Sequence, residues 1–419
     1  MMSLSVVRFR LSVVDVFNDG AGKQRTTAYQ PQTMKILMKR LLLSLLLVGL
    51  AAEGFAQDGA LYLSSQQPPV RISIEGLYQN YSNDDGDISE FSIPLSMSVP
   101  LGRSLGLSLI AHQASATGDS LESVSGLSDV QVGLSYYQRV GQGSIVLSLG
   151  ANLPSGKREL TTDEFETSIF LSQHFFNFRV PGFGQGFNLS PGIVAAFPVS
   201  ENAVLGVGMS YQYKGSYKPT EGLQDDYTPG DEILLTGGFD VRAGATSNLS
   251  ADVTYTLYGS DTLGDQDVYS SGDKVTATVQ WLNYLGVNVL RLVARYRSQS
   301  KSSRPAVSGA ADEELRTLPA QVWLRGSYRH RLSPAVHVGV LAQARLFGDT
   351  DASVGNTPFG PELFESKTLF DVGLTPEFSL SDTVALRVRF LYTLGDFTGF
   401  ETGGGLAIEL WARCQIRRS

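Results

Sequence analysis

In the C-terminal half of this 419-residue chain, arginines recur at even spacing: Arg291, Arg295 and Arg297, then Arg325 and Arg329, Arg345, and finally Arg387 and Arg389. Side chains two or four apart share one face of an extended segment. On strands these arginines would therefore form a wall. A guanidinium keeps its proton at any working pH and presents five donors, so such a wall binds and orients anions or polar solutes and does not transfer protons. Trp323, two residues before Arg325, adds an aromatic face on which a guanidinium can stack. Carboxylates in the same alternating setting are Glu75, Glu232, Asp240 and Asp252, which are expected on the sector opposite the arginines.

Other chemistries fail on spacing. The stretch "GANLPSGKR" at 150–158 looks like a phosphate loop, but Gly150 and Gly156 enclose five residues, Ala151 stands where the first Gly belongs, and Lys157 is followed by Arg158. A phosphate cradle needs Gly, four residues, then Gly-Lys-Ser/Thr. The four histidines (His112, His174, His330, His337) form no His-Glu-x-x-His pattern, and the lone Cys414 excludes an intrachain disulfide and a cysteine zinc site. No catalytic residue, metal site or cofactor is predicted.

The elements that must carry the arginines are strands. Apolar and polar residues alternate along the chain, as a half-buried strand requires: Phe91, Ile93, Leu95, Met97 and Val99 early on, Leu249 to Leu257 midway, and Val384, Leu386, Val388, Phe390 and Tyr392 near the end. The alternation predicts 17 strands, over 70–81, 88–101, 104–114, 127–140, 143–154, 162–175, 187–198, 202–214, 230–243, 247–259, 272–282, 288–299, 316–330, 335–347, 367–379, 384–394 and 403–411. Short connections such as "RVGQGS" and "RLSPAV" alternate with long polar ones such as "YKPTEGLQDDYTPGD". Short turns at one end, long acidic loops at the other and aromatic residues near strand ends are the pattern of an outer-membrane barrel. The aromatic set is Tyr78, Tyr136, Tyr137, Tyr211, Tyr213, Tyr258, Tyr296, Tyr328, Phe347 and Tyr392.

The fold class expected is thus all-β: a single transmembrane antiparallel β-barrel of about 16 strands, range about 14–18, because bacterial single-chain barrels have even strand numbers. The alternation of loop lengths slips phase between residues 162 and 214, which locates the error in the odd count. Two repairs suggest themselves: an extra short strand within "HFFNFRVPGFGQGFNLSPG", or two predicted strands that are one bent strand.

The ends divide the chain further. Residues 34–56 read as a signal peptide, with Lys35, Lys39 and Arg40 before an apolar run that is too short to span a bilayer, and with Gly54 and Ala56 at the cleavage positions. Residues 1–33 precede it and read as an upstream extension, with translation starting at Met34 or Met38. The barrel is expected over 57–411, closed by Trp411, and 412–419 as a basic C-terminal tail. Without residues 1–56 the chain carries 26 basic against 38 acidic side chains, a charge of −12. That balance excludes nucleic acid as a partner.

Residues 125–157, "SGLSDVQVGLSYYQRVGQGSIVLSLGANLPSGK", resemble the outer-membrane transporter-like family named for the meta pathway of phenol degradation. The resemblance rests on Gly126, Asp129, Gly133, Tyr136, Gly150, Leu153, Pro154 and Gly156, with Ser155 in place of the usual Thr. It implies a barrel that passes small, often aromatic or apolar, molecules across the outer membrane.

The expectation is an outer-membrane channel of porin type for passive transport of small solutes, located in the outer membrane of a Gram-negative-type bacterium after export. Outer-membrane lipid, small-molecule solutes and the barrel assembly machinery are its expected partners. The alternative is a non-conducting structural or surface-interaction barrel, and a barrel-embedded hydrolase is the third class.

Overall fold

Alternating side chains become a closed wall only if every strand finds two neighbours, since an open sheet edge cannot be satisfied in lipid. A computed structural model describes residues 69–83, 86–119, 121–172, 176–304, 313–351, 366–381, 383–395 and 403–416, and in it the wall closes. The strands are β1 Val70–Asn83, β2 Gly86–Pro100, β3 Leu105–Gly118, β4 in two segments Leu121–Leu127 and Val130–Val140, and β5 Gly143–Leu153. After helix α1 (Thr162–Leu171) follow β6 Asn188–Ser200, β7 Ala203–Lys214, β8 Glu232–Arg242, β9 Ser247–Tyr258, β10 Lys274–Leu285 and β11 Asn288–Gln299. The last five are β12 Gln321–Ser333, β13 Val336–Phe347, β14 Lys367–Ser379, β15 Val384–Gly395 and β16 Gly403–Ile416.

Each strand pairs antiparallel with the next, and β16 returns to β1 through Val70↔Ile416, Glu75↔Trp411 and Ser82↔Gly404. Both segments of β4 pair with β3, so they form one interrupted strand and the barrel has 16. The odd count is resolved by neither repair expected above. Residues 162–171, predicted as strand, are helix α1. Its Thr161 hydroxyl accepts the Glu164 N–H while the Glu164 carboxylate accepts the Thr161 N–H, each at 3.2 Å. This reciprocal capping box, Thr-x-x-Glu, was present in the sequence as a helix start.

Turns of two to four residues join the strands at one end, and in two of the two-residue ones Gly141 (φ 60°) and Gly286 (φ 66°) take the positive φ that the first position of a type II′ hairpin needs. At the other end the connections between β7 and β12 build a separate five-stranded sheet from Tyr227–Thr228, Ser260–Leu263, Gln266–Ser270, Ser302–Arg304 and Glu313–Leu315. Residues 115–118 and 121–126, part of the long connection between the predicted strands 104–114 and 127–140, are instead paired extensions of β3 and β4, as in Ala116↔Val124.

The outward face is apolar and open to its surroundings. Leu147, Leu149, Ile193, Met209, Val253, Leu292, Val340 and Val372 are all exposed, and no facing protein layer covers them. In water such a surface would be unstable, whereas lipid satisfies it. Of the ten aromatics expected at strand ends, Tyr137, Tyr258 and Phe347 alternate onto the inward face instead, being opposite in phase to Tyr136, Leu257 and Leu346. The final strand also departs from expectation. It runs to Ile416, so residues 412–416 are wall and not tail, paired as Cys414↔Val384. Trp411 is 2% exposed and faces inward, out of phase with Ile408 and Leu410. The expected signal peptide and upstream extension lie outside the described residues, as do 417–419.

Candidate functional site: the barrel interior

Strand register places Arg291, Arg295, Arg297, Arg325, Arg329, Arg345, Arg387 and Arg389 on the inward face, out of phase with the exposed Leu292, Tyr296, Leu324 and Phe390. Trp323 stands directly across from Arg295 and, on its other side, from Arg345. The guanidinium carbons of Arg295 and Arg325 lie 5.0 and 5.9 Å from its ring centroid.

Three of these arginines are neutralised locally. Arg345 grips Asp371 with two nitrogens (3.1 and 3.2 Å), and Gln343 donates to the same carboxylate at 2.6 Å. Arg387 donates to Glu377 at 3.0 and 2.8 Å and covers the Trp411 ring at 4.5 Å. Arg389 pairs with Glu409 at 2.7 Å. The acids Asp371, Glu377 and Glu409 were missed by sequence reasoning, although each sits between outward apolar neighbours: Phe370 and Val372, Pro376 and Phe378, Ile408 and Leu410. The alternation that located the arginines locates them too.

Arg291 donates to Gln280 at 2.8 Å, and Arg297 to Gln321 at 2.7 Å. Among the described residues, Arg295, Arg297, Arg325 and Arg329 have no carboxylate oxygen within 4.0 Å. The acidic residues do not form the opposite sector that was expected. Glu75 lies on β1, beside β16, and meets Arg179 of the β5–β6 connection at 3.6 Å. Glu232 pairs with Lys214 at 2.6 Å. Asp240 and Asp252 face the lumen from β8 and β9, where Asp240 is exposed.

The described residues of the connection 154–187 (154–172 and 176–187) fold into the barrel mouth and are held there by strand residues. Asp129, in the break of β4, accepts the Gly156 N–H at 2.9 Å with one oxygen and the Gln185 N–H at 2.7 Å with the other. Gly156 has no room for a side chain: a Cβ would stand 2.2 Å from the Phe183 carbonyl oxygen. Deeper in, Glu90 accepts the Arg179 and Val180 N–H groups at 3.2 Å, while Gln79 accepts from Arg179 at 2.8 Å and donates to the Asn177 carbonyl at 2.9 Å. Phe176 and Phe178 pack edge-on against Tyr81 with centroids 4.8 and 5.1 Å apart. Phe170, Phe183 and Leu171 join Val124, Ala114 and Ile88 in the same apolar cluster, which extends to Phe347 and Leu369 on β13 and β14. Lys157 is tied to Glu164 of α1. Burial would raise the Glu164 carboxyl, but the Lys157 ammonium and the Thr161 N–H outweigh it and hold the group below its ordinary range.

Filling is therefore lopsided. Gln79, Glu90 and Thr393 are 0% exposed on the sector running from β13 round to β2, whereas inward-facing Val194 on β6 is 42% exposed. Small residues carry the inward face there: Gly192 on β6, Gly206 and Gly208 on β7, Gly238 on β8. Of the histidines, His112 faces inward with its Nδ1 3.3 Å from the Ser128 hydroxyl, but the adjacent Asp129 is engaged by two backbone N–H groups. His174 lies outside the described residues.

Closure, even strand number, an apolar exterior and a charged interior define a 16-stranded transmembrane β-barrel. No family model and no curated protein matches the chain. Among solved structures it is similar to OpdL of Pseudomonas aeruginosa, at 12% identity over 84% of this chain and 99% of that one, with a TM-score of 0.42. OprD of Pseudomonas aeruginosa aligns at 11% identity over 87% and 97%, TM-score 0.42, and an anion-selective porin from Comamonas acidovorans at 13% over 83% and 100%, TM-score 0.36. At such identities and scores the class rests on the strand pairing and the apolar exterior, not on these alignments.

Proposed function

We propose that this barrel is an outer-membrane channel that lets small solutes diffuse passively. The observation that carries the reading is the lopsided filling: ion pairs and the 154–187 connection occupy one side, while Gly192, Gly206, Gly208 and Gly238 keep the inward face of β6 to β8 thin and Val194 open. A ring of ~16 strands encloses more space than its own side chains fill. Outer-membrane lipid meets the apolar exterior, and the chain reaches that membrane by export and the barrel assembly machinery. The resemblance of residues 125–157 to the meta-pathway phenol family supports small aromatic or apolar molecules among the solutes. Liposome swelling with a series of small sugars and aromatic alcohols tests this. Swelling that slows with solute size is expected, and none above that of protein-free liposomes would reject it.

A second reading, a non-conducting barrel whose outer loops meet external partners, is favoured by the apolar cluster that links Val124 on β4 with Phe347 and Leu369 on β13 and β14. β4 and β13 lie nearly opposite each other round the ring. The same swelling assay separates the two.

A further inference from the structure

Positive charge on the lumen wall is not evenly spent. Arg345, Arg387 and Arg389 are each matched by a carboxylate at hydrogen-bond distance, which leaves their surroundings neutral. Arg295, Arg297, Arg325 and Arg329, on the adjoining strands β11 and β12, have none within 4.0 Å among the described residues. Nor does the outside of the wall offer compensation, since Leu292, Ala294, Leu324 and Tyr296 alternate with them toward lipid. Asp252 is the lumen carboxylate whose field reaches Arg295, from two strands away and without contact.

These four charges are graded in depth. Arg329 lies across from Val289 near the short turns, Arg325 from Val293, Arg295 from Trp323, and Arg297 from Gln321 towards the long loops. From Val289 to Arg297 the strand advances roughly 26 Å at ~3.3 Å per residue, most of the length of the wall. The middle pair is held in place: Arg295 and Arg325 both lie over the Trp323 ring, at 5.0 and 5.9 Å. Stacking on an aromatic ring leaves the planar edge of a guanidinium, with its N–H fork, free to meet a planar acceptor. The buried Nε of Arg295 donates to no group among the described residues.

From this geometry we infer a binding site for small organic carboxylates, centred on Arg295, Trp323 and Arg325, within an anion-selective lumen. Carboxylates match the guanidinium fork in two-point hydrogen bonds, which halide ions cannot form. Arg329 and Arg297 extend the positive potential towards the two mouths, so an anion meets a favourable field before it reaches the ring-braced pair. This inference rests on the channel reading for transport but not for binding, and the test keeps the two apart.

Reversal potentials of the purified full chain in planar bilayers under a potassium chloride gradient report charge selectivity, and added potassium succinate is the probe for the site. Wild type should prefer anions, and succinate should reduce the chloride current saturably. In the double variant Arg295→Ala, Arg325→Ala the permeability ratio should fall towards 1 and the succinate effect should vanish. Arg295→Lys with Arg325→Lys, which keeps the charges but not the forks, should lose succinate inhibition as fully while losing less of the chloride preference. A conducting wild type that prefers cations, or one indifferent to succinate, would overturn the site and leave the channel standing. Should the barrel conduct nothing, calorimetric titration of succinate into the detergent-solubilised protein decides: arginine-dependent heat upholds the site without the channel, and no heat rejects it.

Discussion

The carboxylate of Asp129 is shared between the two ends of the 154–187 connection: it accepts from Gly156 at 2.9 Å and from Gln185 at 2.7 Å. Gly156 can come that close because it has no side chain, and Ser155 adds a bond to the Val130 N–H at 2.9 Å. The stretch that looked like a phosphate loop is thus the foot of an inward-folded connection. Replacing Asp129 by Ala leaves two part-buried N–H groups without their acceptor, at a cost of up to about 1 kcal/mol each. Hydrogen exchange at Gly156 and Gln185 should accelerate in Asp129→Ala, with the barrel strands unchanged. Equal protection in both proteins would contradict the clamp.

Gly156→Ala should be as harmful as the loss of the carboxylate, for a steric reason. A methyl group would stand 2.2 Å from the Phe183 carbonyl and 2.8 Å from the Asp129 nitrogen, both backbone atoms. Forced overpacking of this kind costs about 1–3 kcal/mol. The expected outcome is earlier proteolysis within 157–187 at unchanged heat-modifiability of the barrel on gels. Gly141→Ala, in a turn with nothing within 4 Å of a Cβ, should show only the mild penalty of its positive φ.

Glu90 and Gln79 pin the deeper part of the same connection to the wall. In Glu90→Ala the Arg179 and Val180 N–H groups lose their shared acceptor. Segment 176–180 should then leave the wall, and the single-channel conductance should change in size and become noisier. A trace identical to wild type would show that this segment does not bound the open path.

The Lys157–Glu164 pair gives the connection a pH dependence. Glu164 is held below its ordinary range, with Lys157 and the Thr161 N–H outweighing the effect of burial. A depressed carboxyl contributes stability that is present above its unfolded pKa and lost as pH falls through its lowered folded value. Hydrogen exchange in α1 should therefore rise on acidification below the ordinary glutamate range, and Glu164→Gln should remove that rise. An acid response that persists in Glu164→Gln would place its origin elsewhere.

Alternation made the strands legible, because lipid outside and charge inside impose a strict period of two on every strand, and the alternating loop lengths made them a barrel. It found Arg291 to Arg297 on one face, while the alternation of loop lengths located the faulty stretch at 162–214. It misread 162–171 because Phe165 and Ile169 also fit a period of two, and the Thr161–Glu164 cap was the contrary signal. The pairing of Arg345 with Asp371 and of Arg389 with Glu409 depends on which strands are neighbours, so single-strand reading showed the cations without their partners. Trp411 is not the outward-facing terminal aromatic of the last strand: its phase against Ile408 and Leu410 already places it inside.

Single-channel recording in planar bilayers tests most directly for an open path beside the filled sector. Discrete, steady conductance steps from the purified, refolded chain are the result predicted here. A flat baseline from protein shown to be folded and inserted would contradict it.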